Sequence, residues 1–183
     1  IAVVSTGSEL RPPGSALAHG QIPESNSILI SGLLVEAGFE AATLEHRADD
    51  APGLRDRLAE LAASHDAVIT TGGVGPGRHD VVGIALEGER GIRSVRVAVR
   101  PGQPQCAGRH RAGAFVFGLP GNPVSAAVSF ELFVRPALRA LAGCARIRRR
   151  RLLATAAESW GGKAGRAQVV PVGLEETPGG LVC

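Results

Sequence analysis

Aromatic side chains are nearly absent from this chain. Five phenylalanines, one tryptophan and no tyrosine supply 3% of its residues. The core must therefore be mostly aliphatic, and ring platforms for stacking nucleic-acid bases have almost no material. Long apolar runs are missing as well. None reaches the roughly 18 residues that a bilayer-spanning helix needs, so no membrane partner is expected. Cysteine is scarce and odd in number. Cys106, Cys144 and Cys183 form no Cys-x-x-Cys pair, which argues against a disulfide framework or a thiolate zinc site. They read as small packing residues in a reducing, cytoplasmic compartment. Lys163 is the single lysine, so arginine carries nearly all the positive charge. Neither common phosphate fingerprint is present: there is no Gly-x-x-x-x-Gly-Lys-Ser/Thr and no true Gly-x-Gly-x-x-Gly.

What is there suits a globular protein. The 183 residues are 44% hydrophobic and 20% charged, enough for one sizeable domain or one domain plus a fragment. The chain opens at Ile1 without Met, and Gly179–Cys183 reads as stopping inside an element, so it looks cut from a longer protein. The net charge of +3 is unevenly spread. Residues 1–143 carry 13 Arg against 14 Asp and Glu, whereas residues 144–183 carry seven basic and three acidic groups. Arg146, Arg148, Arg149, Arg150 and Arg151 make up most of that excess. Such a cluster attracts nucleic acid in some proteins. Without interleaved aromatics or a nucleic-acid motif, it reads here as a solvated strand edge or interdomain seam.

The apolar pattern alternates between strand and helix. Ile1–Val4 reads as a buried strand and Arg11–Gln21 as a loop. Ser25 and Asn26 are candidate N-caps for a helix bearing Ile30, Leu33, Leu34 and Ala37, which Gly38 stops. Ala41–Leu44 is a second strand. Asp49-Asp50 caps a helix whose buried face is Leu54, Leu58, Leu61 and Ala62. Ala67–Thr70 is a third strand, and His79–Leu86 a short helix. Val95, Val97 and Val99 alternate with Arg96 and Arg100, as in a half-buried strand. Ala114–Phe117 leads into a long helix from near Ser125 to about Leu141. Pro136 must kink that helix or fall where a bond is dispensable, and Gly143 ends it. This order predicts an α/β domain: a mostly parallel sheet in a three-layer α/β/α arrangement over residues 1–143. After Gly143 the texture changes. Arg151–Thr155 and Gln168–Val172 read as strands between glycine-rich turns, so residues 144–183 are expected to begin a small, incomplete β domain.

Ligands in such folds gather at the carboxyl ends of the strands. Three small-residue turns fall there: Thr6-Gly7, Gly72-Gly73-Val74, and Gly118-Leu119-Pro120-Gly121-Asn122-Pro123-Val124-Ser125. In the last, Asn122 is a good N-cap and Pro123 suits a first helical position. The chain thus enters a helix N-terminus, where free N–H groups and the helix dipole favour an anion. Glycines in such turns also serve merely to let the backbone bend. Together, each beyond a strand, they point to a phosphorylated or otherwise anionic ligand. Asp80 either satisfies donors at a helix start or, with Glu9 and the Asp49-Asp50 pair, holds a divalent cation beside a phosphate. Asp50 is equally suited to capping. His79 is either a metal or acid/base residue or an exposed histidine at a helix start. Arg96 and Arg100, four apart, would share one strand face and grip an oxyanion, or else line a solvent edge.

These residues resemble a known family. Ser5-Thr6-Gly7-Ser8-Glu9-Leu10, Gly20–Asn26, Thr71-Gly72-Gly73-Val74, Asp80, Arg100-Pro101-Gly102-Gln103-Pro104 and Gly118–Ser125 look like the molybdopterin molybdenumtransferases, the MoeA-type enzymes and the E domain of gephyrin. The resemblance covers residues 1–143 as a molybdopterin-binding domain and implies that residues 144–183 begin the family's C-terminal β domain. It implies that adenylylated molybdopterin and molybdate react, with Mg2+, to give molybdenum cofactor and AMP, and that the full-length protein is a homodimer. By motif, Glu9, Asp50 and Asp80 match acidic active-site positions, with Glu9 and Asp80 as metal ligands. Arg96 and Arg100 match basic positions. Thr6, Gly7, Gly72, Gly73, Val74, Pro120, Gly121, Asn122 and Ser125 fall in the turns that hold pterin or molybdate. The chain departs from the family at several points. The family commonly has Asp where Ser8 and Glu24 stand, and Lys where Arg96, Arg100 and Gln103 stand. Its loop also differs over Gly75–Asp80, and its two N-terminal domains are not in this sequence. Two other functions stay open. One is the sister activity that adenylylates molybdopterin from ATP, though it usually lacks a trailing β domain. The other is a non-catalytic pterin-binding or scaffolding module.

Overall fold

The computed structural model describes residues 1–75, 77 and 80–183. In chain order its strands begin with Ala2–Thr6 (β1), Leu10–Arg11 (β2) and Ile22–Pro23 (β3). Helix Asn26–Ala37 (α1) follows, then strand Thr43–Arg47 (β4), helix Ala51–Ser64 (α2) and strand Ala67–Thr71 (β5). After the short helix Val81–Ala85 (α3) come strands Ile92–Arg96 (β6), Val99–Arg100 (β7), Pro104–Arg109 (β8) and Phe115–Leu119 (β9). The central sheet has the order β4-β1-β5-β9-β8-β6. Its first four strands are parallel, and β8 and β6 add antiparallel edges.

Alternate residues of the buried strands feed two aliphatic clusters. Val3, Ile69, Phe117 and Leu119 pack with Ile30 and Leu34 of α1 and with Ala126, Phe130 and Leu138. Ala2, Val4, Val68 and Val116 pack with Leu54, Leu58 and Leu61 of α2 and with Val81, Val82 and Ala85. Helices thus cover both faces of the sheet, as the alternating pattern predicts. The face predicted for α2 is the buried one, and each of its leucines contributes about 1.5–3 kcal/mol by leaving water.

The long helix runs as Pro123–Ser129 (α4), a π-helical turn Phe130–Val134, and Arg135–Leu141 (α5). The Arg135 N–H donates to the Phe130 carbonyl five residues back. The wider turn falls just before Pro136, whose ring would otherwise press on the carbonyl four residues earlier. Pro136 is thus accommodated rather than disruptive. Gly143, at φ +69°, follows the helix end.

Beyond Gly143 no residue is buried. Ala167–Gln168 (β10) pairs with β7, and Glu175–Thr177 (β11) forms a hairpin with Gly180–Val182 (β12). The strands expected at 151–155 and 168–172 shrink to a single bridge, Thr155 to Val182, and to β10. Their apolar side chains have nothing to cover: Leu153 is 97% exposed. The arginine run lies along a seam, where Arg149 reaches Glu131 at 2.7 Å and Glu36 at 2.9 Å.

Candidate ligand site at the strand ends

β1, β5 and β9 lie side by side, and their register sets Ser5 against Thr71 and Thr71 against Leu119. The three small-residue turns therefore leave the sheet at one place. The Gly72 N–H donates to the Leu119 carbonyl at 2.9 Å, and the Thr6 hydroxyl donates to the Thr71 carbonyl at 3.2 Å. At Gly72, φ is +92°, and a Cβ would lie 2.7 Å from the Thr6 carbonyl oxygen. A Cβ on Gly121 would lie 3.3 Å from the Gly72 α-carbon. Glycine is required here because two neighbouring backbones touch.

The turn Gly118–Ser125 behaves as its residues predict. Asn122 Oδ1 accepts from the Ser125 N–H at 3.1 Å, and Pro123 opens the helix. Pro120 and Ser125 are buried, while Gly121 and Asn122 are exposed. Gly73 O accepts from the N–H groups of Val82 and Gly83, fastening the second turn to α3. Val74 points inward: a Cβ on Gly118 would lie 2.8 Å from its Cγ1.

Three further residues complete the cluster: His46, which sequence reasoning missed, Asn26, expected as a candidate N-cap, and Asp49, expected beside a cation. Asn26 donates from Nδ2 to the Gly121 carbonyl at 2.7 Å, so it ties α1 to the third turn. It is free to do so because Glu24 accepts from the Ser27 N–H, and Ser25, at the N-cap position, makes no side-chain cap. His46 Nε2 bonds the Gly7 carbonyl at 2.8 Å. As a carbonyl only accepts, that nitrogen carries the proton. Asp49 accepts from the Ser8 N–H at its carboxylate and donates from its own N–H to Ser8 Oγ, both at 3.0 Å. The adjacent acidic pair was the only available signal for Asp49. Two polar atoms, Asn26 Oδ1 and Thr71 Oγ1, are buried here without a hydrogen-bond partner among the described residues. They are acceptors or donors left for a ligand or water.

The acidic candidates divide. Glu9 folds its carboxylate over Gly7 and is exposed. Asp80 stands before α3 without capping it; its carboxylate instead accepts from the Gly77 N–H. It lines a cleft of about 500 Å³ shared with Gly75, Ser94 and Cys106. Burial pushes the Cys106 thiol up, against a partial opposing effect from Ser94, which suits a packing role. Asp50 holds the N-cap position of α2 but makes no side-chain cap, and its carboxylate lies over Gly53. His79 lies outside the described residues. Among those described, no group of three or more His, Cys, Asp and Glu could hold a metal ion.

One expectation needs correcting. Arg96 and Arg100 do not share a strand face. β6 ends at Arg96, paired with Pro104. The chain then leaves the central sheet, and Arg100, in β7, pairs with Gln168 of β10. Spacing by four misleads because the pairing of β6 with β8 ends at Val97, whose N–H donates to the Gln103 carbonyl at 2.8 Å. Arg96 instead donates from Nη2 to Gln103 Oε1 at 2.7 Å. The Arg100–Gln103 turn still reaches the site: a Cβ on Gly102 would lie 3.3 Å from the Ser125 carbonyl.

The strand-end cluster and its flanking helices define an α/β domain of the class whose ligands bind at the carboxyl ends of parallel strands. Residues 2–140 match the family model described as "Probable molybdopterin binding domain". The chain belongs to that family. It is 44% identical over 149 residues to molybdopterin molybdenumtransferase 2 of Mycobacterium tuberculosis, an alignment covering 78% of this chain and 36% of that protein. It is 42% identical over 144 residues to the molybdenum cofactor synthesis protein cinnamon of Drosophila melanogaster, covering 78% of this chain and 24% of that one. The crystal structure of the molybdopterin biosynthesis MoeA protein from Pyrococcus horikoshii superposes with a TM-score of 0.72 at 25% identity, over 91% of this chain and 39% of that one. The chain thus spans roughly a third or less of the curated relatives it matches.

Proposed function

We propose that this chain carries the pterin-binding site of a molybdenum-inserting enzyme. Adenylylated molybdopterin and molybdate are its substrates, and molybdenum cofactor and AMP its products. The observation that carries this reading is the meeting of the Thr6-Gly7, Gly72-Gly73 and Pro120-Gly121 turns at one point of a chain whose relatives bear that activity's name. Backbone turns without side chains let a ligand's diphosphate approach closely.

In the reaction a water oxygen attacks the phosphoanhydride of the adenylylated pterin and its P–O bond breaks; the pterin keeps one phosphate and AMP leaves with its phosphate charge, while the two dithiolene thiols bind molybdenum and one molybdate oxygen departs as water. Arg96 and Arg100 would meet that charge as it develops. Glu9 and Asp80 are the residues to hold a magnesium ion, which would supply Lewis-acid charge when bound. The dithiolene sulfurs belong to the pterin, so no protein thiol takes part. We further assign the full-length protein to a cytoplasmic homodimer; the unpaired Cys106, Cys144 and Cys183 suit a reducing compartment.

The test is AMP release from adenylylated molybdopterin with Mg2+, with and without molybdate. Molybdate-dependent AMP is the expected result. Formation of adenylylated pterin from ATP would replace this reading with the sister activity. Saturable pterin binding without either product would make the chain a binding module. The Asp80→Asn variant should lose cation-dependent turnover by 100-fold or so with an unchanged melting temperature. Unchanged activity would remove Asp80 from the mechanism.

A further inference from the structure

We propose that Gln105 and Ser129 are positioning residues that lock the Arg100–Gln103 turn against the first turns of the helix beginning at Pro123. The inference rests on the reading of the site given above. Gln105 sits near the start of β8 and is 5% exposed, and Ser129 is fully buried. Gln105 Nε2 donates to the Gly102 carbonyl at 2.7 Å and to Ser129 Oγ at 2.6 Å. One buried amide therefore ties the turn to the helix.

The turn has no freedom left at that point. Gly102 has φ +92°, and a Cβ there would lie 2.8 Å from Ser129 Oγ. Two further ties hold its edges. The Val169 N–H of the C-terminal segment donates to the Arg100 carbonyl, and the Ala167 N–H donates to the Ala98 carbonyl, both at 2.8 Å. Across the turn, Gln103 receives Arg96. The position of one buried amide thus sets where Arg100, and through Gln103 also Arg96, stand relative to Ser125.

A leucine would fill the place of Gln105 without a polar atom to satisfy. Burying an amide is worth its desolvation only if both bonds are made. What the amide adds is direction. Guanidinium recognition of an oxyanion depends on angle as well as charge, and small misplacements of such groups cost large factors in rate. Gln105 and Ser129 touch no substrate in this scheme; they act through the turn.

Gln105→Leu and Ser129→Ala test the idea on the whole chain by two readouts. The first is amide hydrogen exchange. The Val97 amide, bonded across the turn to Gln103, should exchange roughly tenfold faster in Gln105→Leu, while Val3 and Ile69 in β1 and β5 stay unchanged. The second is AMP release with varied sodium molybdate. Because the two arginines meet the charge of the leaving phosphate, kcat should fall roughly tenfold, with KM for molybdate changed less than about twofold. Ser129→Ala removes one of the two bonds and should shift both readouts in the same direction by less, so it decides the matter if Gln105→Leu does not fold. Unchanged Val97 exchange, or faster exchange with an unmoved kcat, overturns the proposal. If the wild-type chain releases no AMP, the enzymatic reading fails by itself. Calorimetric titration with AMP then replaces kcat: about tenfold weaker binding by Gln105→Leu is expected, and equal binding, or none by either chain, overturns the positioning role.

Discussion

Gly72 is constrained twice over, by its left-handed backbone and by the Thr6 carbonyl beside it. Gly32, on the exposed side of α1, is constrained by neither: a Cβ there would meet nothing within 4 Å. The same substitution should therefore have opposite signs at the two positions. Gly72→Ala should destabilise by about 2–4 kcal/mol, combining backbone strain with a clash against rigid main chain. Gly32→Ala should stabilise by about 0.5–1 kcal/mol, since it removes unfolded-state freedom from a helix interior. Denaturant titration of both variants checks this, and a neutral Gly72→Ala would show that the two turns do not touch. The small residues at the strand ends were legible as a site because each follows an apolar strand. Asn26 and His46 were not, because their bonds to Gly121 and Gly7 span 95 and 39 residues. No local pattern records a contact at that range. Gln105 was hidden for the same reason, its partner lying 24 residues away.

β4 is one edge of the central sheet and, among the described residues, pairs with β1 alone. Its middle residue, Glu45, is gripped from α2 by Arg57 and from its own strand by Arg47 at 3.1 Å. The Arg57 guanidinium, more than Arg47, holds the Glu45 carboxyl below the ordinary carboxylate range, against some opposing effect of burial. A carboxyl depressed on folding stabilises the fold above its ordinary value of 4.5 and loses that contribution as pH falls through the lowered value. Melting temperature should therefore drop more steeply below that pH in the wild type than in Glu45→Gln, with the variant already lower at neutral pH. Parallel melting curves across acid pH would exclude the pin. Elements with strong periodicity, such as the α2 leucines, were readable from sequence. β8 was not: Pro104-Gln105-Cys106-Ala107-Gly108-Arg109 alternates in no regular way and opens on a proline. A strand of that composition forms because β6 and β9 supply its partners on both sides. The π turn was equally invisible, although Pro136 announced that the helix needed some local adjustment.

At the scale of the whole molecule the two aliphatic clusters draw on residues 1–138, and nothing after Gly143 is buried. The later segment is held by β10 against β7, by the Arg149 bridges to Glu36 and Glu131, and by short hydrogen bonds. Surface ion pairs of that kind contribute little. A chain ending at Gly143 should therefore keep one cooperative unfolding transition and lose no more than roughly 4 °C in melting temperature, about 1 kcal/mol at this size. Its turn at Val97–Gln103 should nevertheless exchange faster, because Ala98 and Arg100 lose the partners that Ala167 and Val169 provide. Stability and site order would then separate: the α/β unit stands without the later segment, while the arginine-bearing turn depends on it. Calorimetry together with amide exchange on the shortened chain distinguishes the outcomes. A large fall in melting temperature would mean that the later segment carries part of the fold. An unchanged turn would mean that the β7–β10 pairing does nothing for the site.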